Sequence, residues 1–224
     1  MIAVSSLTDP LGLGSWSLVF LYPSATFLCL GLVYCGFGKQ WFGKRADGSC
    51  SSRSMLWFGP YFALNELVWF LYVALAREPA VGQAAPNLYF GRRLTGRDII
   101  AVRNLSFYGC LDLTFEFAES GDLCRLPMYR SIPILDGSAP TYEQLHQAVD
   151  WITEATAQGN VYVHCALGHG RTGTILIAWL VAARLYSDID SALQQLRKSR
   201  GSVAINGQQR RMLEQFLSEI STAN

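Results

Sequence analysis

Residues 161–174, VYVHCALGHGRTGT, join two apolar stretches through a glycine-rich loop. The residues that lead into it, 160–164, are β-branched or aromatic as in a buried strand, and 172–186 has the Leu, Ile and Ala content of a helix packed on a sheet. Between the two, Gly168 and Gly170 allow the backbone to curl so that successive N–H groups converge, and the helix N-terminus adds its partial positive charge. The stretch predicts an α/β fold with an anion cradle at the end of a strand.

Cys165 and Arg171 occupy the two ends of this cradle. Backbone donors, the helix dipole and the Arg171 guanidinium all favour a thiolate over a thiol, so we expect a depressed pKa for Cys165 and a nucleophile at neutral pH. The planar guanidinium matches two phosphate oxygens and stabilises charge that develops during phosphoryl transfer. A lysine would not serve equally well at this position.

A second pair with the same spacing, Cys124 and Arg130, tests how specific the spacing is. The residues between this pair include no glycine, and no helix pattern follows them. We interpret the second pair as coincidence, so the context of Cys165 and not its spacing carries the prediction.

Residues 164–174, HCALGHGRTGT, resemble the His-Cys-five residues-Arg-Ser/Thr signature of the cysteine-based protein tyrosine phosphatases, in particular the compact dual-specificity subgroup. The resemblance extends from about residue 87 to the C-terminus and implies a twisted, mostly parallel sheet flanked by helices. It implies a phosphocysteine intermediate on Cys165, a Thr172 hydroxyl that helps the sulfur leave, and a His164 that orients the loop and lowers the thiol pKa. The phosphate would be bound by Arg171 and by the loop residues Ala166, Leu167, Gly168, His169 and Gly170. The alternative, an inert buried cysteine beside a core histidine, leaves the glycines and the arginine unexplained.

A phosphocysteine mechanism also needs an acid that protonates the departing oxygen and then activates water. Residues 129–135 are predicted to be a strand, and Asp136 opens its exit loop. A helix over 141–158, with Thr141 and Gln144 as a capping box, then leads to the strand that ends at Cys165. Because a right-handed crossover makes the two strands parallel, Asp136 and Cys165 should emerge at the same edge of the sheet.

Two other acids compete less well for the role of general acid. Asp112 lies within 110–117, an alternating strand pattern in which a structural hydrogen bond is expected. Asp150 lies within the capped helix and is expected to be solvated. We therefore assign the general acid to Asp136.

The chain is unusually apolar, with 50% hydrophobic and only 16% charged residues. The excess lies in two segments, 16–37 and 55–76, each about 22 residues long and therefore sufficient for a helix that crosses a hydrocarbon core of about 30 Å. The second segment is interrupted by Asn65 and Glu66. The sequence thus predicts a two-helix transmembrane anchor, with a pair of buried core helices as the alternative. A cleaved signal peptide is disfavoured, because no basic residue precedes the first segment.

Residues 77–86, REPAVGQAAP, have the composition of a linker, which divides the chain into an anchor (1–80) and a catalytic domain (81–224). Two spans place both ends of the chain on one side of the membrane. The charges favour a cytoplasmic connecting loop, since that loop contains four basic residues: Lys39, Lys44, Arg45 and Arg53. A reactive thiolate survives best in a reducing compartment, so we expect a cytoplasmic catalytic domain. The membrane-anchored phosphatases of bacteria have a similar arrangement.

Composition also excludes several classes of partner. The net charge is +1, and the arginines are scattered, so the chain has no electrostatic footprint for nucleic acid. The six cysteines and three histidines lack metal-ligand or disulfide spacing, so no metal and no cofactor are predicted. The expected partners are a phosphorylated substrate and a lipid bilayer, and the oligomeric state stays open.

Three functions remain open. The first is an active phosphatase for phosphotyrosine and phosphoserine or phosphothreonine in proteins, with a phospholipid such as phosphatidylglycerophosphate or a phosphoinositide as the alternative substrate. The second is a catalytically silent phosphate-binding module, and the third is another cysteine-loop enzyme such as a sulfurtransferase or an arsenate reductase. The loop interior lacks the lysines of phosphoinositide-selective relatives, and only His169 could meet an additional phosphate.

Overall fold

The computed structural model describes residues 16–37 and 43–223. Its strands are β1 Val81–Ala85, β2 Leu88–Arg92, β3 Phe107–Thr114, β4 Met128–Ile134 and β5 Asn160–Cys165. Its α-helices are α1 Trp16–Tyr34, α2 Ser52–Trp57, α3 Gly59–Leu75, α4 Gly96–Val102, α5 Gly121–Cys124, α6 Tyr142–Thr156, α7 Gly170–Ala182, α8 Ile189–Ser199 and α9 Gly207–Ala223. A short 3₁₀ helix, Arg103–Leu105, follows α4.

One five-stranded sheet organises the region that follows α3, in the order β1-β2-β5-β3-β4. β1 pairs antiparallel with β2, and the other three pairings are parallel. The sheet is therefore mixed but mostly parallel, as predicted. β5 lies at its centre, which places Cys165 at the C-terminal end of the middle strand.

Helices cover both faces of the sheet. Alternate residues of β5 point to opposite faces, so the strand contributes side chains to both layers of helices. Val161, Val163 and Cys165 belong to the main core, where helices α6 to α9 pack. Tyr162 points to the other face and packs with residues on and around α4 and α5. The sheet is thus flanked by helices on both sides, in agreement with the predicted fold class.

The crossover from β4 to β5 matches its prediction closely. β4 ends at Ile134, and α6 begins after Thr141, whose hydroxyl accepts the Gln144 N–H at 3.2 Å while the Gln144 side chain accepts the Thr141 N–H at 2.9 Å. This capping box satisfies two helix N-terminal donors and sets where α6 starts. Asp136 and Cys165 consequently follow two strands that end at the same edge of the sheet.

Some predicted elements differ from the structure. The strand predicted over 110–117 is β3, which ends at Thr114, because residues 115–119 leave the sheet and turn towards the glycine-rich loop. The predicted linker, 77–86, contains β1, whose Val81 pairs with Gly91 of β2. Composition alone indicated flexibility there, whereas pairing with β2 orders the segment.

The apolar segments before the sheet form α1, α2 and α3. The second predicted span, 55–76, is divided at Phe58 between α2 and α3, where Pro60 occupies the first turn of α3. Proline is favoured at this position and cannot continue a preceding helix. Among the described residues, none of the helices combines the length and apolar character needed to cross a membrane.

Contacts connect α1–α3 to the sheet region across the predicted boundary at residue 81. Val33, Phe58 and Tyr61 form a buried cluster with Phe115 and Leu135, which lie beside the ends of β3 and β4. Further along α3, the Glu66 carboxylate pairs with Arg93 at 2.7 Å. The first three helices therefore pack beside the edge of the sheet at which Cys165 lies.

Candidate active site

The loop from Cys165 to the first turn of α7 brings two backbone N–H groups, those of Gly168 and Thr172, to the thiol. The Gly168 N–H lies 3.3 Å from Cys165 Sγ, and Gly168 adopts φ +75°, a left-handed conformation that glycine reaches without strain. A Cβ at this position would approach the backbone carbonyl of Gly91 to 2.2 Å. Gly168 is therefore required both by its conformation and by close backbone packing.

The carbonyl groups of the loop point the other way and are held by donors from distant segments. Ala166 O accepts the indole N–H of Trp69 and the backbone N–H of Arg93, both at 3.0 Å. Leu167 O accepts Arg200 Nη1 at 3.0 Å. With its carbonyls fixed outward, the loop is preorganised to offer its N–H groups to an anion.

Cys165 lies at the base of this loop and is almost completely buried. Burial by itself raises the pKa of the Cys165 thiol, but Arg171, the hydroxyl and N–H of Thr172 and the Gly168 N–H outweigh burial and lower the pKa below its ordinary value. A depressed thiol pKa is the property that a cysteine nucleophile needs. The structure thus supports the pKa direction that the sequence predicts.

Arg171 lies in the first turn of α7 and is fixed by a carboxylate that the sequence did not indicate. Its Nη1 and Nη2 bind Glu116 Oε2 and Oε1 at 2.8 and 2.7 Å, and Nη1 also donates to Ile134 O at 3.0 Å. Arg171 Nε is buried and has no hydrogen-bond partner among the described residues. Because one edge of the guanidinium is held by Glu116, its remaining donor is available to a phosphate oxygen.

Asp136 lies at the edge of the same site. Its Oδ1 is 3.0 Å from Arg171 Nη2, and its side chain is 70% exposed. The loop that carries it is tied to the start of α9, since Asn206 Nδ2 donates to Gly137 O at 2.7 Å and Gln209 Nε2 to Ser138 O at 3.1 Å. Asp136 is thus a solvent-accessible carboxyl beside the cradle, which suits a group that exchanges protons with substrate and water.

A cleft of about 280 Å³ opens between this loop and the start of α7. Asp136 and Arg171 line it together with Gly170, Ile205, Asn206 and Gln209. Its floor reaches a buried guanidinium, and its rim carries a carboxyl and two amides. These groups would hold the phosphoryl group of a substrate next to a proton donor.

Three further residues predicted for the site, Thr172, His164 and His169, lie around the loop and not in the cleft. Thr172 is buried in the first turn of α7, and His164 is completely buried behind Cys165. His169 turns its ring towards Glu78, with Nε2 3.0 Å from Glu78 Oε2, and packs edge-on against Tyr72. The imidazole of His169 is consequently paired with a carboxylate and does not extend the cradle for a second phosphate.

The rejected candidates lie away from the cleft. Asp112 is fully buried and pairs with Lys44 at 2.7 Å, a structural position as predicted. Asp150 is exposed on α6. Of the pair with coincidental spacing, Cys124 ends α5 and Arg130 is exposed on β4, with no loop between them of the kind that follows Cys165.

Several residues that build the site had no signal in the sequence. Glu116 and Glu119 belong to the turn after β3, Glu78 precedes β1, and Arg200 follows α8. Arg200 is fully buried, with Nη2 2.6 Å from Glu78 Oε2. These residues contact the loop and its flanks from 33 to 91 positions away along the chain, so no local pattern identifies them.

Comparison with known proteins agrees with this geometry. Residues 93–184 match the family described as "Polymorphic toxin system, DSP-PTPase phosphatase". The chain is 32% identical over 83 residues to phosphatidylglycerophosphatase and protein-tyrosine phosphatase 1 of Mus musculus, a stretch that is 37% of this chain and 42% of that protein. The chain thus covers less than half of the length of this curated relative.

Solved structures extend the comparison to the fold. The crystal structure of Tk-PTP in the active form superposes with a TM-score of 0.54 at 26% identity, over 62% of this chain and 97% of that one. The structure of PTPMT1 in complex with PI(5)P gives a TM-score of 0.56 at 18% identity, over 65% and 99% of the two chains, which is a likeness of fold alone. Sheet order, loop geometry and the family match over residues 93–184 together support a dual-specificity phosphatase-like domain similar to those of the cysteine-based protein tyrosine phosphatase superfamily.

Proposed function

We propose that this chain hydrolyses phosphate monoesters through a phosphocysteine intermediate on Cys165. The observation that carries the proposal is the placement of a buried cysteine with a lowered pKa next to the backbone N–H groups of Gly168 and Thr172, at the loop that leads from β5 to Arg171. The phosphatases that match the chain by family and by sequence support the same activity.

In the first step the Cys165 thiolate attacks phosphorus and forms an S–P bond as the P–O bond to the leaving group breaks. Asp136, in its acid form, gives its proton to the departing oxygen, and Arg171 with the loop N–H groups stabilises the charge on the other phosphate oxygens. In the second step water attacks phosphorus, Asp136 takes the proton from water, and the S–P bond breaks. Thr172 donates its hydroxyl hydrogen bond to the departing thiolate, and inorganic phosphate leaves.

Hydrolysis of an aryl phosphate by the full chain tests this activity. We expect turnover in the wild type and none in Cys165→Ser, with comparable binding of vanadate by both proteins. Vanadate binding without turnover in the wild type would instead support a silent phosphate-binding module. Sulfur transfer or arsenate reduction without ester hydrolysis would support the third class of cysteine-loop enzyme.

We infer that the substrate carries a single phosphate, because loop residues 166–170 include no lysine and the His169 ring is paired with Glu78. A shallow cleft beside the loop suits phosphotyrosine and phosphoserine or phosphothreonine in a protein. This is the primary proposal for the substrate class. The match with dual specificity protein phosphatase 9 of Homo sapiens supports this class: the two chains are 26% identical over 144 residues, which are 58% of this chain and 36% of that protein.

A phospholipid monoester is the second candidate substrate, and two observations favour it. The names of the mouse relative and of the PTPMT1 complex refer to phosphatidylglycerophosphate and to PI(5)P. In addition, α1–α3, which pack beside the ends of β3 and β4, expose many large apolar side chains, among them Phe20, Leu28, Trp57, Leu67 and Phe70. Acyl chains could lie against such a surface while the head group reaches Cys165.

One panel separates the two substrate classes: phosphopeptides in solution against phosphatidylglycerophosphate and phosphoinositides in detergent micelles. We expect the higher kcat/KM on phosphopeptides if the substrate is a protein. A preference of more than tenfold for a lipid would replace the primary proposal with the second.

We further propose that α1–α3 attach the chain to a membrane, with the catalytic domain in the cytoplasm. The support is the uncharged segment 16–37 and the exposed apolar side chains of α1–α3. Surfaces of this kind are uncommon on soluble monomers and mark contacts with lipid or protein. Reducing conditions in the cytoplasm would keep Cys165 as a thiol or thiolate.

Membrane fractionation tests the attachment. We expect the full chain in the membrane fraction, with retention after alkaline carbonate if both segments span and release if the helices lie on the surface. A fluorescent protein after Asn224 should report the cytoplasm. Alkaline phosphatase activity from the same fusion site would reverse the orientation, and a fully soluble chain would refute the attachment.

A further inference from the structure

The turn at residues 115–119 places one carboxylate on each flank of the glycine-rich loop. Glu116 binds Arg171 at the start of α7, as described above. On the other flank, Glu119 Oε2 lies 2.8 Å from His164 Nε2, and both side chains are buried. Glu119 has no part in the proposed reaction, so its buried charge needs another explanation.

The contacts of His164 favour a charged ring. Nδ1 lies 3.2 Å from Cys165 O, a carbonyl that can only accept, and Nε2 lies within ion-pair distance of the Glu119 carboxylate, although the two atoms lack hydrogen-bond geometry. An imidazolium suits both neighbours, because each of them carries negative charge or lone pairs towards the ring. The other groups that face the ring are Cys110 from β3 and the stacked ring of Tyr162 from β5.

The pKa directions agree with this geometry. Burial disfavours the charged ring, but Glu119 and Cys110 outweigh burial and raise the pKa of His164 well above its usual value. Burial likewise acts against the Glu119 carboxylate, but His164 outweighs it and lowers the pKa of Glu119 to about 2. Each group thus favours the charged form of the other.

We propose that Glu119 is a positioning residue that holds His164 as an imidazolium behind Cys165, and that residues 43–51 hold Glu119 in place. The proposal rests on the proposed use of Cys165 as the nucleophile. An imidazolium behind the strand end favours the thiolate and also fixes the backbone carbonyl of Cys165.

Residues 43–51, here called the strap, precede the part of the chain that matches the phosphatase family. Gly48 O accepts the backbone N–H of Glu119 at 2.9 Å. Lys44 Nζ lies 2.7 Å from Asp112 Oδ2 and 3.0 Å from Thr114 Oγ1, and it donates to Phe117 O. The strap thus fixes the turn from both ends.

Lys44 also supplies the cation of a buried acidic cluster. One polar atom each of Asp112, Glu119 and His164 lies within 4.8 Å of the others, and the Lys44 ammonium lies against Asp112 with 2% of its side chain exposed. Removal of Lys44 would leave the Asp112 carboxylate buried without its ion-pair partner. We therefore expect the strap to matter for the site although it lies outside the predicted catalytic domain.

The pH dependence of Cys165 alkylation by iodoacetamide, followed by peptide mass spectrometry, tests the proposal. Glu119→Gln removes the charge that keeps His164 protonated, so the Cys165 midpoint should rise by roughly one pH unit. Glu119→Asp should restore part of the shift. Glu143→Gln is the matched control, since Glu143 is exposed on α6 and bonds only to Gln147 among the described residues, and its midpoint should not move.

An unchanged midpoint in folded Glu119→Gln would overturn the proposal. Lys44→Met should raise the midpoint in the same direction by a smaller amount, and a folded Lys44→Met protein with an unchanged midpoint would overturn the role of the strap.

A measurement on the wild type does not depend on the folding of Glu119→Gln or Lys44→Met. Histidine ¹⁵N shifts report the protonation of each imidazole, and the His164 signals can be assigned by comparison with His146→Gln and His169→Gln. We expect His164 to stay an imidazolium above pH 8, whereas a neutral ring at pH 7 would overturn the proposal. Neither readout needs turnover, so a failure of the proposed phosphatase activity would be recognised separately.

Discussion

Gly168→Ala should damage the site through backbone geometry alone. The substitution adds one methyl group at φ +75°, where left-handed backbone costs an L-residue about 1–2 kcal/mol. The new Cβ would also lie 2.1 Å from Arg200 Nη1 and 2.2 Å from the backbone of Gly91. Arg200 can shift, but the Gly91 backbone belongs to β2 and cannot, so overpacking adds about 1–3 kcal/mol.

The loop can relieve about 2 kcal/mol or more of this cost by opening, which moves the Gly168 N–H away from Cys165. We expect kcat/KM on an aryl phosphate to fall by at least about 30-fold, since each factor of ten corresponds to about 1.4 kcal/mol. Gly201→Ala is the matched control, because its Cβ would meet nothing within 4 Å. If Gly168→Ala kept its activity within threefold of the wild type and its Tm did not change, the loop would tolerate a Cβ at residue 168, contrary to the prediction.

Substitutions of Cys165, Asp136 and Arg171, with controls at Cys124 and Asp150, test individual roles. Cys165→Ser should abolish turnover but retain vanadate binding, whereas Cys124→Ser should keep nearly full activity; kinetics and vanadate titration check both. Asp136→Ala should lower kcat by roughly 10² to 10⁴, with the smallest loss on leaving groups that need no protonation. A comparable leaving-group dependence in Asp150→Ala would show that the acid is misassigned. Arg171→Lys should both raise KM and lower kcat, because an ammonium cannot replace the bidentate contact with Glu116 or the free Nε donor, and steady-state kinetics would show it.

The part of the fold around Cys165 could be predicted because its determinants are local. The glycines of 161–174, the capping box at Thr141 and the apolar strands lie within a few residues of the features that they specify. The right-handed crossover rule then predicted that Asp136 and Cys165 follow strands that end on the same side of the sheet, although the two residues are far apart in sequence. The relative positions of Asp136 and Cys165 could therefore be predicted from short sequence patterns and one topological rule.

The residues that hold the loop in place could not be predicted in this way. Trp69, Glu78, Glu119 and Arg200 act through contacts between distant segments, and each has an ordinary local context. Lys44 is the clearest case, because a lone lysine in a polar stretch gives no sign that it is buried against Asp112. Long-range ion pairs of this kind become visible only when the chain is folded.

The apolar segments before the sheet show a different limit. Hydropathy indicated two long helices but did not locate the break at Phe58, and it did not indicate that Trp69 would donate to Ala166 of the loop. A run of apolar residues is compatible with burial, with a lipid surface and with a span. Length and composition alone do not choose among these environments.

The most direct test of the account is to trap the covalent intermediate. The full chain with Asp136→Ala should accumulate phosphoenzyme when it is mixed with an aryl phosphate and quenched rapidly in acid, because that variant lacks the base that activates water for the second step. Intact-protein mass spectrometry should show the mass of one added phosphoryl group, and peptide mapping should locate it on Cys165. No adduct during turnover, or an adduct on any residue other than Cys165, would contradict the phosphocysteine mechanism.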